Sequence, residues 1–477
     1  MATTATPRPG PTVLRAARLL DGTGTVLEDP RLVVEDGVIV AVGPALAVPE
    51  QATVVDLPGA TLVPGLIDTH MHLAFDASTD PIGTLAAQDD EVALAAMAQA
   101  ARTAARAGIT TVRDLGDRDY LALSLRARPE PGLPTIVASG PPLTTPGGHC
   151  HFLGGATSDV RATVRAHAER GVDVIKVMAS GGNLTPGSRP EVGQFTPDEL
   201  HAAVDEAHRL GLPVTAHAHG TGAVADAVAA GVDGLEHASF MTADGVDPVP
   251  DDVLAEIVAR RVVLGLTVGS VPGAVLIAAI TVRLPALLAN VRRLCASGAP
   301  VTAGTDGGVS PGKPHDVLPY AIEALTRCGM SPADALVAAT SRAAAVCGLG
   351  HRKGRLAPGF DADVLAVDGD PLTDPRRCGR SGPCSCGASG SADARGPCTP
   401  AAAVHTAGCS GTPPTMCTDG PRCARWAACP RRVTSPSSGA ASSVSPPRPS
   451  SPSGASPSRS SPTARSRAGR RAARCRG

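Results

Sequence analysis

Two histidines one residue apart close the run Val63-Pro64-Gly65-Leu66-Ile67-Asp68-Thr69-His70-Met71-His72. Residues i and i+2 of a pleated strand share a face, so both imidazoles aim at one point. Two borderline-soft nitrogen donors at a strand end suit zinc or a similar divalent cation, and Asp68 is close enough to orient or join them. A lone His-x-His also occurs as an ordinary polar strand end, so its weight depends on the rest of the chain. Further along come Val174-Ile175-Lys176-Val177-Met178, Val214-Thr215-Ala216-His217-Ala218-His219-Gly220, Gly234-Leu235-Glu236-His237 and Val301-Thr302-Ala303-Gly304-Thr305-Asp306-Gly307-Gly308. Each is a short, largely apolar run with a potential ligand at or near its end.

The segments between these runs are alanine-rich, with apolar residues at helical spacing. From Thr196 to Leu210 the sequence opens Thr-Pro-Asp-Glu like a capped N-terminus and is ended by Gly211. Strands are expected at 61–72, 110–115, 135–139, 172–178, 213–217, 232–237, 262–267 and 300–305. Eight strands alternating with helices predict an α/β fold, a (β/α)₈ TIM barrel whose site lies at the C-terminal strand ends. The candidate ligands then fall on strands one, four, five, six and eight. His70, His72, His149, His151, His217, His219 and His237, out of 13 histidines, sit at strand ends or in the loops just after them.

With these motifs in place, the sequence resembles the amidohydrolase superfamily over roughly Val13 to Asp374. The order His-x-His, Lys, His, His, Asp is similar to that of its binuclear members. Ile175-Lys176-Val177-Met178-Ala179-Ser180-Gly181-Gly182 and Ala216-His217-Ala218-His219-Gly220 look most like the branch of Xaa-Pro dipeptidases and ochratoxin-type amidases. The resemblance implies two divalent cations, zinc being the expected metal, bridged by a carbamylated Lys176. His70, His72 and Asp306 would hold the first and His217 and His237 the second. Carbamylation needs the neutral amine, which burial beside two cations favours; a lysine snorkelling to the surface is the plainer reading of Lys176 taken alone. Asp306 would also carry the proton from the attacking water to the leaving amine.

His217 and His219 share a face, so spacing alone does not decide between them. Family position favours His217 as the ligand and leaves His219 as a residue behind the ligands or a substrate contact, a solvated loop histidine being the plainer reading. Gly147-Gly148-His149-Cys150-His151, after the third strand, resembles the branch's substrate loop; there His149 would polarise the scissile carbonyl and His151 would touch substrate. The implied activity is hydrolysis of amide bonds in dipeptides such as Xaa-Pro or in N-acyl amino acids. A mononuclear deaminase or imidazolonepropionase, acting on a cyclic C–N bond, needs no bridging lysine and is the alternative. His201, Asp205, Glu206 and His208 read as the wet face of a helix.

Residues 11–60 alternate in short β-rich runs, and 351–375 carry a matching piece. In the resembling family both ends pair into one small β-sandwich beside the barrel, with the barrel spanning 61–350. After Pro375 the composition changes abruptly. Residues 376–477 hold 16 arginines, no lysine, two acids and nine of the 13 cysteines, so the net charge of -1 hides a body near -15 joined to a tail of +14. A disordered tail is expected from such a stretch. It reads as a basic nucleic-acid-binding arm, as a metal-binding cysteine cluster lacking regular spacing, or as a frameshifted translation. Cys codons begin with T, and so do most Ser codons. A frame starting one base earlier therefore places apolar residues at Cys378, Ser381, Cys384, Ser385, Cys386, Ser389 and Ser391, in the manner of closing sheet strands.

The N-terminus has no apolar core of a signal peptide, and Val271 to Val282 is too short for a membrane span. Scattered Cys150, Cys295, Cys328 and Cys347 suit a reducing cytoplasm. The expected partners are a small-molecule or dipeptide substrate, with no membrane; self-association into a homo-oligomer stays open.

Overall fold

The computed structural model describes residues 10–128, 130–379 and 402–405. Five strands come first: β1 (Thr12–Leu20), β2 (Val26–Glu28), β3 (Pro30–Glu35), β4 (Val38–Pro44) and β5 (Thr53–Pro64). Eight more alternate with helices: β6 (Leu66–Met71), β7 (Ile109–Asp114), β8 (Thr135–Ala138), β9 (Ile175–Met178), β10 (Val214–Gly220), β11 (Gly234–Met241), β12 (Val263–Leu266) and β13 (Val301–Ala303). Two close the described chain, β14 (Asp363–Asp368) and β15 (Ala402–His405).

Strands β6 to β13 are parallel and fall into two sheets, ordered β6-β7-β8 and β13-β12-β11-β10-β9. Backbone bonds stitch their margins. Leu143 N donates to Lys176 O and Met178 N to Leu143 O, both at 2.8 Å, while His72 N donates to Gly307 O at 2.9 Å. The architecture is mixed α/β of the TIM-barrel type. The helices between strands pack alanine- and valine-rich faces on the sheets. Pro197–Arg209 starts with the expected capping box, Thr196 accepting from Glu199 N while the Glu199 carboxylate accepts from Thr196 N at 2.8 Å. That helix differs from expectation at Glu206, which is buried and clamped by Arg165 at 3.2 Å and Arg209 at 2.6 Å. The arginine guanidinium groups supply the counter-charge that lets the carboxylate leave water.

The single strand expected over 61–72 is two strands. Pro64 has no N–H to give the ladder, and Gly65 packs so close to the Thr110 side chain that a Cβ would collide with it. At that break the chain passes from the flanking sheet, whose order is β15-β14-β5-β1-β3-β4 with β2 on β1, into the parallel set. Both ends of the chain meet on β5: β1 runs parallel to it and β14 antiparallel, Val364 opposite Pro64. Leu14, Leu32, Leu62 and Val364 form a small core of their own under this sheet, each buried leucine contributing about 2 kcal/mol.

Ala402–His405, inside the stretch expected to be disordered, pairs antiparallel with β14, Asp363 opposite His405. Ala402-Ala403-Val404 carries neither Pro nor Gly, so nothing in it opposes an extended ladder. Cys378 is buried against the main apolar core. The other positions named in the frameshift reading, and the rest of the tail with its nucleic-acid and cysteine-cluster readings, lie outside the described residues. Among the described residues no helix is long and apolar enough to cross a membrane.

Candidate metal centre

The strand ends deliver two groups of potential ligands. His70, His72 and Asp306 offer atoms that lie within 4.8 Å of one another, and so do His217, His219 and His237. In the first, Asp306 Oδ1 is 3.5 Å from His70 Nε2 and 3.3 Å from His72 Nε2. In the second, the ring of His217 stands 4.6 Å from that of His219 and 4.7 Å from that of His237. His70 and His237, 5.1 Å apart between ring centroids, bring the groups together. Lys176 is 1% exposed, with Nζ 3.5 Å from His70 Nε2. His237 and Asp306 both take positive φ, 73° and 60°, a strained backbone that side chains adopt where a site dictates their aim.

Each imidazole is oriented from behind. His70 Nδ1 donates to Glu236 Oε2 at 2.8 Å, which leaves its Nε2 lone pair facing the site, and His72 Nδ1 donates to Gly116 O at 3.1 Å with Nε2 turned to Asp306. His219 Nδ1 meets Ser239 Oγ and His237 Nδ1 meets Thr267 Oγ1, each at 2.8 Å. His217 is turned the other way: its Nε2 donates to Gly181 O at 3.0 Å, so Nδ1 is the free nitrogen. Burial keeps four of these rings neutral, lowering His70 and His219 to about 4 and carrying His217 and His237 well below the ordinary range, whereas Asp306 raises His72 against the downward push of burial. Burial likewise lowers Lys176 to about 8, against the attraction of Glu236 and Asp306. Asp306 resists the upward push of burial because the His72 hydrogen bond and the nearby His70 hold its carboxyl well below the usual range.

Asp68 orients rather than joins. Its carboxylate accepts from His70 N at 3.0 Å, Thr305 N at 3.1 Å and Thr305 Oγ1 at 2.6 Å, which ties the first parallel strand to the last. His149 is buried on the rim of the second group, its ring 4.9 Å from that of His217 and its Nδ1 without a partner among the described residues. Gly182 makes room for it, because a Cβ there would overlap the imidazole. His151 stands exposed on the next turn, its Nδ1 2.9 Å from Gly148 O.

The family model that matches residues 61–413 is that of the amidohydrolase family. The chain belongs to the amidohydrolase family. This amidohydrolase is 29% identical to the ochratoxinase of Aspergillus niger over 406 residues, 76% of this chain and 82% of the relative. It is 31% identical to the imidazolonepropionase of Deinococcus radiodurans over 393 residues, 76% of this chain and 91% of that one. Among solved structures, a prolidase complexed with N-methylphosphonate-L-proline aligns with a TM-score of 0.67 at 26% identity, covering 78% of this chain and 96% of that one. The amidohydrolase therefore sits in the ochratoxinase-like branch of its superfamily and is a hydrolase of carbon–nitrogen bonds.

The residues that sequence reading missed stand behind the ligands. Glu236, 1% exposed, binds His70, takes Arg113 Nη2 at 2.9 Å and accepts from Thr215 Oγ1 at 2.7 Å. Burial would raise its carboxyl, but His70 and Arg113 hold it down to about 2. An acid inside an apolar strand beside a ligand histidine was the available signal, since a buried charge needs partners. Lys313 bridges the last two strand ends, its Nζ donating to Thr267 O at 2.9 Å and Thr305 O at 2.6 Å. That contact was invisible to spacing.

Proposed function

We propose that this amidohydrolase is a binuclear metal-dependent hydrolase of amide bonds, cleaving dipeptides such as Xaa-Pro or N-acyl amino acids. The observation that carries the reading is Lys176, buried on β9 with Nζ 3.5 Å from His70 Nε2. A surface-seeking lysine has no reason to lie there; an amine readied for carbamylation does. The donor set fits divalent cations, zinc first: imidazoles with their far nitrogens fixed, plus one carboxylate. His70, His72 and Asp306 would hold one cation, His217 and His237 the other, and carbamylated Lys176 would lie between them. Bound cations would supply Lewis acidity and a water of lowered pKa.

The chain's own groups do the rest. Asp306, aimed by His70 and His72, holds the water's proton and returns it to the leaving amine. His149 offers a neutral imidazole, lowered to about 3 by burial, as donor to the scissile carbonyl oxygen. His219 and, from the rim, His151 contact substrate. A closed (β/α)₈ barrel over 61–350 with a flanking β-sandwich from 11–60 and 351–375 is the architecture this reading requires; the seams at Leu143 and Gly307 and the pairing of β14 on β5 support it.

The 31% relationship to an imidazolonepropionase favours a second reading, a mononuclear hydrolase of a cyclic C–N bond. Lys176→Ala separates the two. Metal content per full-length chain, measured by mass spectrometry alongside a dipeptide and N-acyl amino acid screen, is expected to fall by one cation with activity abolished. Equal metal and activity in variant and parent would sink the binuclear reading.

A further inference from the structure

At the end of the parallel strands opposite the metal centre lies a cavity of about 440 Å³. The starts of β10 to β13 and the residues just before β9 form its walls, and the helix Ser341–Val346 with Gly348 after it covers one side. Its walls are of two kinds. Val174, Val263 and Val346 are among the apolar ones; Arg113, Arg261 and Arg342 bring guanidinium groups. Its acids are already engaged: Asp233 accepts from Val214 N at 2.7 Å and faces His208 at 2.9 Å, and Glu236 is held by Arg113, Thr215 and His70.

Two arginines are left over. Arg342 spends one N–H on Val301 O at 3.0 Å, and neither it nor Arg261 has an ion-pair partner among the described residues. A guanidinium presents five donors in a planar fork that matches a carboxylate, and a half-buried one with a single acceptor leaves most of them unused. The volume equals that of about fifteen liquid waters at ~30 Å³ each, far more than an inorganic anion fills. Apolar walls around a cationic corner define a ligand with a charged head and an apolar body.

We propose that this cavity is a binding site for a small carboxylic acid with an apolar body, its carboxylate on Arg342 and Arg261. Arg113 is shared between the cavity wall and the Glu236–His70 pair, so the occupant sits two side chains from the metal ligands. The site is independent of the catalytic reading.

Calorimetric titration of the full-length protein with hexanoate, benzoate and phenylacetate tests it, with inorganic phosphate as the anion lacking a body. The expected result is saturable binding of one acid per chain, unchanged after chelation, with Kd raised at least tenfold in Arg342→Ala and in Arg261→Ala. Arg261 is exposed, so its variant carries the test alone if Arg342→Ala does not fold. Absence of heat with all three acids, binding that disappears on chelation, Kd values unchanged in the arginine variants, or phosphate binding as tightly as the acids would each overturn the proposal.

Discussion

The two ligand groups are built from the same side chain and backed by different chemistry. Behind His70 stands the carboxylate of Glu236, itself held by Arg113, and Asp306 adds a second negative charge within the group. Behind His219 and His237 stand only the hydroxyls of Ser239 and Thr267, and behind His217 a main-chain carbonyl. The first group is thus electrostatically prepared for a cation, whereas the second offers neutral donors and depends on an anion supplied from outside it. Carbamylated Lys176 would be that anion, and the asymmetry is what the proposed bridge would make good.

The largest effect expected beyond Lys176 itself comes from Asp306→Asn, which strips the first group of its charge and, on the proposed mechanism, the reaction of its proton carrier. Amide-bond turnover should drop by roughly 10²–10⁴-fold, as for loss of a general acid–base group. Retention of more than a tenth of the rate would reassign the role. Glu236→Gln should weaken one cation by about 10–100-fold and spare the other; a chelator titration, with residual metal as the readout, should turn from one phase to two. Thr267→Val removes a neutral hydrogen bond of about 1 kcal/mol behind His237, so the second cation should loosen by roughly fivefold. If Thr267→Val weakens binding as much as Glu236→Gln does, the contrast between the groups is wrong.

The smallest effect lies outside the site and is read in stability. The guanidinium of Arg209, then that of Arg165, holds the Glu206 carboxyl down to about 2 from 4.5. A depressed carboxyl contributes stability that is fully present above its ordinary value and lost as pH falls toward 2. Glu206→Gln should melt lower than the parent at pH 7, and the two curves should converge between pH 4.5 and 2. A gap that persists at pH 2 would mean that packing, not charge, is what the variant loses.

The two side-chain clusters were legible because strand alternation leaves little freedom: His70 and His72, or His217 and His219, must share a face once the run is a strand. Lys176 was legible by its company on neighbouring strands. What the sequence did not disclose is held by contacts between distant segments. Glu236 gains its meaning from Arg113 on another strand, Gly182 from the volume of His149, and Glu206 from arginines on two helices. The break at Gly65 was signalled by Pro64-Gly65, but the apolar run on both sides masked it. Of the tail, the pairing of Ala402–His405 on β14 had no herald in a composition dominated by Arg, Ser and Pro.

The bond from Thr305 N to Asp68 spans 237 positions of chain. During synthesis the ribosome releases His70 and His72 long before Asp306, and for that interval the nascent chain carries two imidazoles without the carboxylate or the closing strand. Contacts of such span are made late in folding, because the loop they close must be ordered first. The first group therefore cannot take a cation in its finished geometry until nearly all eight parallel strands exist. On the proposed reading, metal capture would be a late event, open only to a chain that has been made past residue 306.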